Sequence, residues 1–545
     1  MKKYLFLPLF LLINLYSFSQ GIDLKEPEKE YSSGNYQRAI GKYLDIIQNH
    51  ALKISKEDQS TIFFRIALCY NEIFDFEKAV NYFRQSYSLD KDDKNILEEI
   101  AESYKRNGQY NEAITYFKKY AKYTDEKFDI EEKINSCKSA INWKKNPAAI
   151  DVSINRELST EFFDFGPSFI DSNCRSMIIS SSRNDHDTLF CVGHKFKMFY
   201  TTMENGKWKL PVELDSSIKG SDVAAVTCDY KRKVIYFTSC TDGENNSCGI
   251  FYSFINGSLV GEPMPLILKT NTDNSIVFGQ PSYSNDLKVL FFVSNMSGGF
   301  GGKDIWFSKY NDQTDTWSDP INAGPDINSE ADEFFPTVDS KGNLFFSSER
   351  ASGMGGMDIF RASKIGDFEW GHVENLKSPI NSEGDDFGIV FNPGATDGYF
   401  TSNRKGGLGF DDIYHFAMRD MKTDSAKAIQ STEQENIPEV RDALSKLLNK
   451  EKCVPSNAVL KINDLKLFPN PNRGVFQISF MCNKPVKLTI RIFDSFGRVL
   501  KNEVFSATEG ENSMQFNFTN AAKGIYYVQL LENCNLMQSQ KMSIE

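Results

Sequence analysis

Three aspartates recur at one spacing in the middle of the chain, each at the end of a glycine-rich turn. They are Asp304, Asp358 and Asp412, with 54 residues from each to the next. Carboxylates in this pattern could bind calcium, or they could accept hydrogen bonds from backbone amides of the preceding turn. One aspartate per repeat at a fixed spacing favours the structural role.

A second acidic set precedes several predicted strands of the same region. It could give a channel mouth an acidic ring suited to a cation or a basic peptide, but solvated ends of repeated units are favoured. Its members are Asp164, Asp332, Glu333, Asp385 and Asp386. The turn at 298–303 lacks the residues of a phosphate-binding loop, and the five histidines form no HExxH motif. The sequence therefore predicts no catalytic residue, no metal site and no cofactor.

These acidic residues lie in a region of alternating, aromatic-rich strands separated by turns of Gly, Asn, Asp and Ser. About five copies of one unit, each of four short strands, cover it. Such a unit is typical of a propeller blade, so residues 149–418 are predicted to form an all-β propeller of five blades, with six as the alternative. The segment from Ile150 to Leu158 resembles a blade end and is expected to complete the last blade. The repeats resemble β-propeller repeats of the TolB type, which are WD-repeat-like.

Residues 22–148 have helical spacing instead. Ala79 and Ala113 lie 34 residues apart, as do Ala67 and Ala101, and an aromatic residue follows Ala79 and Ala113 by four positions. This period resembles that of tetratricopeptide repeats. The resemblance implies an all-α superhelix whose concave face binds peptides or partner domains, with a spacer role as the alternative. A helix over 131–145 is predicted to cover the last repeat.

The amino terminus is predicted to be a signal peptide over residues 1–19, cleaved between Ser19 and Gln20. Two lysines precede a short apolar stretch, which is too short for a membrane anchor, and small residues follow it. Residues 16–22 contain no Cys, so no lipid anchor is expected. Disulfides are possible in an exported chain, and the first candidates are Cys240 with Cys248 and Cys482 with Cys534. For each pair, buried free thiols are the alternative.

The last part of the chain follows a polar linker over 419–460. Alternating strands over 461–545 predict a small β-sandwich. Its motif residues are Pro469, Asn470, Pro471, Gly474, Asp494, Gly497, Arg498, Lys523, Gly524 and Tyr526. In this order they resemble the type A sorting domain of the type IX secretion system. The resemblance implies export of a folded cargo across the outer membrane, with release or attachment to surface lipopolysaccharide. The chain departs from that family by ending in Glu545 rather than a basic residue, and an adhesive sandwich module is the alternative.

The front part also resembles outer-membrane lipoproteins of the gliding-motility and type IX machinery, but it lacks their anchor Cys and OmpA-like domain. The composition disfavours nucleic acid as a partner. The chain has 62 Lys and Arg residues against 73 Asp and Glu residues, and the resulting net charge of −11 repels a phosphate backbone. No apolar run reaches the ~20 residues of a membrane span.

The sequence therefore predicts a noncatalytic scaffold that passes through the periplasm and outer membrane and is secreted or held at the cell surface. Its expected partners are the type IX machinery and an unidentified envelope or extracellular protein. A glycan-binding surface protein and a propeller enzyme with a channel active site are the alternatives.

Overall fold

The computed structural model describes residues 23–50, 54–125, 127–183, 195–216, 222–240, 248–268, 276–419, 462–470, 472, 474–494, 499–518, 524–532 and 535–544. They form two compact units, one within Met1–Arg419 and one within Asp420–Glu545. The predicted signal peptide with Ser19 and Gln20, and the predicted linker beyond Arg419, lie outside the described residues. None of the described helices is long and apolar enough to cross a membrane.

The first unit begins with helices stacked in sequence order. They are α1 (Lys25–Ser32), α2 (Tyr36–His50), α3 (Lys56–Glu72), α4 (Phe76–Leu89), α5 (Ile96–Arg106), α6 (Tyr110–Tyr120) and α7 (Lys127–Lys145). Ser55 caps α3, since its hydroxyl accepts the amide of Asp58 at 3.0 Å. The helix predicted over 131–145 is confirmed as part of α7.

Small residues at the repeat positions let the paired helices approach each other closely. Ala79 and Ala113 are fully buried, and the aromatic residues four positions later, Phe83 and Phe117, are fully buried as well. Each ring fills the space that an alanine leaves between neighbouring helices. The core of the array consists of two clusters, one from the start of the array to α3 and one from α3 to α7, and α7 covers the end of the second, as a repeat array requires.

The propeller follows directly, with one four-residue connection from α7 to its first strand. Its strands are β1 (Ile150–Ile154); β2 (Asp164–Phe169), β3 (Ser176–Ser181), β4 (Lys197–Glu204), β5 (Lys207–Trp208) and β6 (Val212–Glu213) in blade one; β7 (Asp215–Ser216), β8 (Asp222–Asp229), β9 (Val234–Cys240), β10 (Cys248–Asn256), β11 (Leu259–Val260) and β12 (Met264–Pro265) in blade two; β13 (Phe278–Ser284), β14 (Val289–Ser294), β15 (Asp304–Asn311), β16 (Thr316–Trp317) and β17 (Ile321–Asn322) in blade three; β18 (Glu333–Val338), β19 (Leu344–Ser348), β20 (Asp358–Gly366) and β21 (Glu369–Asn375) in blade four; and β22 (Asp386–Phe391), β23 (Asp397–Ser402) and β24 (Asp412–Met418) in blade five.

The blades close into a ring of five. The innermost strands β2, β8, β13, β18 and β22 each contact the next, and β22 returns to β2. Strand β1 pairs with β24 as the outer strand of blade five, with Ile150 opposite Met418 and Ile154 opposite Tyr414. The expectation that this segment completes the last blade is confirmed, and the described strands give five blades rather than six.

Every innermost strand carries a β-bulge at the same position, seen as a register shift against the second strand of its blade. The bulged residues have positive φ, and they are Gly166, Ala225, Gln280, Phe335 and Gly388. Left-handed backbone at a residue other than glycine persists only where the surroundings fix it. Bonds between blades do so here: the Ala225 amide donates to Ser180 Oγ at 3.1 Å, and the Gln280 amide to Thr238 Oγ1 at 2.7 Å.

The second unit consists of two antiparallel sheets around one core, as the predicted sandwich requires. Its strands are β25 (Ile462–Phe468), β26 (Val475–Cys482), β27 (Val486–Asp494), β28 (Val499–Ala507), β29 (Gly510–Asn517), β30 (Gly524–Glu532) and β31 (Asn535–Ile544). The sheet orders are β25-β26-β29 and β28-β27-β30-β31. Alternate residues such as Phe476, Ile478 and Ile490 enter the shared core, because successive side chains of a strand point to opposite faces.

Candidate functional site

The three repeated aspartates hold the glycine-rich turns between the second and third strands of blades three to five. Each carboxylate accepts backbone amides three or four residues upstream, such as Phe300 to Asp304 at 2.6 Å and Leu408 to Asp412 at 2.7 Å. The Met354 amide donates to Asp358 in the same way. This geometry is the one that the structural interpretation predicts.

Two of these carboxylates have an oxygen that makes no hydrogen bond within the described part of the chain, Oδ1 of Asp358 and Oδ1 of Asp412. Burial raises the pKa of both carboxyl groups, that of Asp358 well above its ordinary value. A buried carboxyl group that lacks a cationic partner favours its neutral form. Among the described residues, no three His, Cys, Asp or Glu side chains gather as a metal ion would require.

The glycines of these turns permit close approach to the next blade. A Cβ on Gly299 would overlap the Asp304 carboxylate, and one on Gly301 would overlap the carbonyl oxygen of Ala331 in blade four. The same two contacts recur at Gly353 and Gly355 in blade four and at Gly407 and Gly409 in blade five. The turns therefore fasten neighbouring blades to each other, which accounts for the recurring glycines without a phosphate ligand.

Three members of the second acidic set form a repeated interaction that we call the carboxylate latch: Asp164, Glu333 and Asp386, all fully buried. Asp386 accepts the amide of Ser382 at 2.6 Å and Nη2 of Arg404 at 2.6 Å. Thr160 and Arg183 hold Asp164, and Ser329 and Arg350 hold Glu333, in the same way. The burial of these three carboxylates shows that both sequence interpretations are wrong for them, because an acidic ring and solvated blade ends each require exposed carboxylates.

The other two members of the set join neighbouring blades. Asp332 accepts the Lys303 amide and Lys303 Nζ, each at 2.9 Å, and Asp385 accepts the Met357 amide at 3.0 Å. The pattern of acidic residues in the sequence does not indicate the arginines of the latch. Their signal is the Ser-x-Arg triplet that ends the second strand at 181–183, 348–350 and 402–404.

Blade two has a disulfide at the strand positions where blade four has two polar side chains. Cys240 and Cys248 lie opposite each other on β9 and β10 and form a disulfide. The matching positions of blade four hold Ser348 and the turn aspartate Asp358. The first predicted pair is thus a disulfide. Cys482 is a free buried thiol, so the second predicted pair does not form, and Cys534 lies outside the described residues.

The helical array docks on the edges of blades four and five. Met354, in the glycine-rich turn of blade four, is fully buried in the core of the array. Arg106, at the end of α5, donates to both oxygens of Asp385 at 3.1 Å. Lys144 on α7 pairs with Glu383 at 2.9 Å. No sequence pattern marks Met354 or Arg106, because each contact joins residues far apart in the chain.

The array also carries a surface cleft along α4, which we call the tyrosine cleft. Tyr70 and Tyr82 stack in it with ring centroids 5.5 Å apart, and Lys78 Nζ lies 5.2 Å from the centre of the Tyr70 ring. Arg84 and Gln85 line the same cleft. Aromatic rings beside basic groups are suited to contact a protein partner.

The sorting motif residues tie the start of the second unit to its last strand. Asn470 accepts the Ser543 amide and donates to the Lys541 carbonyl, both at 2.9 Å. Gly474 has a φ of 87° and donates its amide to Asn472 Oδ1, while Tyr526 is buried opposite Asp494. Pro469 follows β25 and Gly524 begins β30. The remaining predicted motif residues, Pro471, Gly497, Arg498 and Lys523, lie outside the described residues.

Comparison with known families decides what this unit is. Residues 466–545 match the family described as secretion system C-terminal sorting domain. The second unit is a type IX sorting domain. A sorting domain of this kind indicates export by the type IX system to the cell surface or the extracellular space. Residues 60–93 and 95–127 match the tetratricopeptide repeat, so the array ahead of the propeller is a tetratricopeptide array.

Solved structures give weaker likenesses to this chain. A TolB protein from Agrobacterium tumefaciens is 11% identical and covers 68% of this chain and 97% of its own, with a TM-score of 0.29. A Trypanosoma rangeli sialidase is 9% identical, covers 72% and 89%, and has a TM-score of 0.34. A tetratricopeptide-containing domain of a Plasmodium falciparum FK506-binding protein is 19% identical, covers 23% and 88%, and has a TM-score of 0.21. Such low scores carry no weight for fold or activity, and strand pairing alone assigns the propeller. A search of curated proteins finds no match.

Proposed function

We propose that this exported protein is a noncatalytic scaffold whose tetratricopeptide array and propeller bind a protein partner outside the cell. The observation that carries the proposal is the use made of the repeated acidic residues. The turn aspartates hold backbone amides, and the latch carboxylates are each bound to an arginine. Acid and base catalysis needs carboxyl groups that face a substrate, whereas these hold the turns and strands of each blade in place.

The tyrosine cleft is the surface that we propose for the partner. Tyrosine and arginine are the side chains that most often contribute large shares of binding energy at protein interfaces. Tyr82 and Arg84 lie in the cleft, and exposed Lys78 and Gln85 border it. Tetratricopeptide arrays are interaction modules, which supports this assignment.

Photo-crosslinking on intact cells tests the proposal. A benzophenone amino acid replaces Gln85 in the cleft, and in a control protein it replaces Lys341, which is exposed on a turn of blade four. We expect crosslinks to one discrete protein from position 85 and not from position 341. Lys78→Glu should abolish these crosslinks, and Lys118→Glu, a matched reversal on the exposed face of α6, should leave them unchanged.

Two results would contradict the proposal. Equal crosslinking from both positions would mean that the cleft has no specific partner. Turnover of a small substrate by the purified protein, with no crosslinked partner, would replace the scaffold with the enzyme alternative.

A further inference from the structure

The array docks on a junction between blades that recurs around the propeller. At the junction between blades four and five, Met354 enters the core of the array and Glu383 pairs with Lys144. The glycine after Met354, Gly355, lies against the backbone of Glu383. This docking position therefore combines an apolar side chain of one glycine-rich turn with a glutamate at the start of the next blade.

The junction between blades five and one has the same two parts. Leu408 holds the position of Met354, since the amide of each donates to the carboxylate four residues later. Gly409 lies against the backbone of Glu161. Leu408 is 39% exposed, and Glu161 is exposed and has no ion pair among the described residues. This junction therefore presents to solvent the kind of contact that holds the array at the neighbouring one.

Phenylalanines make this second junction more apolar than the one under the array. We call the surface of Phe162, Phe163, Leu408 and Phe410 the aromatic shelf. The residues that correspond to its phenylalanines at the junction under the array are Gly384, Asp385 and Gly356. Phe163 and Phe410 stack with ring centroids 4.6 Å apart, and all three phenylalanines are partly exposed. Apolar residues that form an exposed patch mark an interaction surface, whereas single exposed ones do not.

The aromatic shelf adjoins the interface that the array already makes. Lys405, three residues before Leu408, donates to the carbonyl oxygen of Asn107 at 3.2 Å and to its Oδ1 at 2.7 Å. Asn107 follows the last residue of α5. A molecule on the shelf would therefore extend a surface that already binds helices, and Glu161 is placed to pair with a basic group of that molecule.

We propose that the aromatic shelf binds an α-helical segment of a partner protein, with an apolar face on the rings and a lysine or arginine paired with Glu161. The neighbouring junction supports this, because it binds helices through an equivalent apolar side chain and a Lys–Glu pair. Aromatic side chains are enriched in the buried centre of protein interfaces. The inference rests on the scaffold role proposed above, but it does not depend on the tyrosine cleft.

Photo-crosslinking of the full-length protein on intact cells tests the proposal. A benzophenone amino acid replaces Leu408, and in a matched control it replaces Phe300, which holds the same turn position in blade three. We expect crosslinks to one protein from position 408 and not from position 300. Mass spectrometry should place the crosslinked peptide in a helix of that protein that carries Lys or Arg.

Charge reversal shows whether Glu161 takes part in binding. Glu161→Lys should lower the crosslink yield by about tenfold, because a like charge then faces the basic group of the partner. Glu330→Lys is the matched control, since Glu330 is an exposed glutamate that lies against Gly301 at the junction between blades three and four. It should leave the yield unchanged. Both side chains are exposed, so melting curves of the two variants should match that of the unchanged protein.

The proposal is wrong if the crosslinked peptide is not helical, if it belongs to a second copy of this chain, or if the two charge reversals have equal effects. The tyrosine cleft separates this inference from the scaffold role. Crosslinks from position 85 without any from position 408 would refute the aromatic shelf alone. Absence of crosslinks from both positions would refute the scaffold role as well.

Discussion

Replacing Met354 by alanine should uncouple the tetratricopeptide array from the propeller. The Met354 side chain is fully buried among apolar residues of the array, although it belongs to a turn of blade four. Truncating a buried methionine to alanine lowers the free energy of unfolding by about 2–5 kcal/mol. At roughly 3 °C per kcal/mol, the melting temperature of the helices should fall by about 6–15 °C.

Leu408 provides a matched control because it holds the same position in the glycine-rich turn of blade five. Its side chain is 39% exposed and outside the array core, so Leu408→Ala should lower the free energy of unfolding by about 1 kcal/mol or less. Circular dichroism at a helical wavelength follows the array during melting. Proteolysis near Ala148, at the connection to β1, gives a second measurement. Equal effects of the two substitutions would refute the idea that Met354 joins the two parts.

Three further predictions concern export, the turns and pH. Removing residues 466–545 should retain the protein in the periplasm, and cell fractionation would contradict this by finding the truncated protein outside. Asp358→Ala should lower the free energy of unfolding by about 1–3 kcal/mol; a calcium-dependent rise in melting temperature that this variant loses would favour a calcium site instead. Burial and then neighbouring Glu102 raise the pKa of Glu99 to about 7. The folded state therefore binds the extra proton, so this contribution to stability is present near pH 4.5 and is lost as pH rises to about 7. In Glu99→Gln that decline should be smaller, as melts at pH 5 and 7.5 would show.

Repeat periodicity predicted the architecture because each repeat carries its own hydrophobic pattern. Ala79 and Ala113 specify paired helices locally, and alternation in each blade specifies strands. The closure by β1 was also predictable, since residues 150–158 resemble the outer strand of the other blades. In these cases the information lies within one repeat.

The pairing of charged side chains could not be predicted in the same way. The sequence places Asp386 at the start of a strand, where a carboxylate is normally solvated, but the structure buries it against Arg404 from the next strand. Arg106 and Asp385 are 279 residues apart. Arg106 belongs to a helical repeat and Asp385 to a propeller blade, so the pattern of one kind of repeat does not indicate its partner in the other. Charge patterns along the chain do not show which charges face each other.

Because β1 pairs with β24, the propeller cannot close until β24 has been synthesised. Arg419 and Asp151, which close this pair, are separated by 268 residues. The helices before β1 depend on contacts between neighbours in sequence and form quickly, whereas the ring depends on one very distant contact and forms slowly. The last strand of the ring is synthesised before any residue of the sorting domain. When synthesis of the sorting domain is complete, every strand of the propeller has already been made. The position of the sorting domain after the propeller therefore favours export of a protein whose propeller has folded.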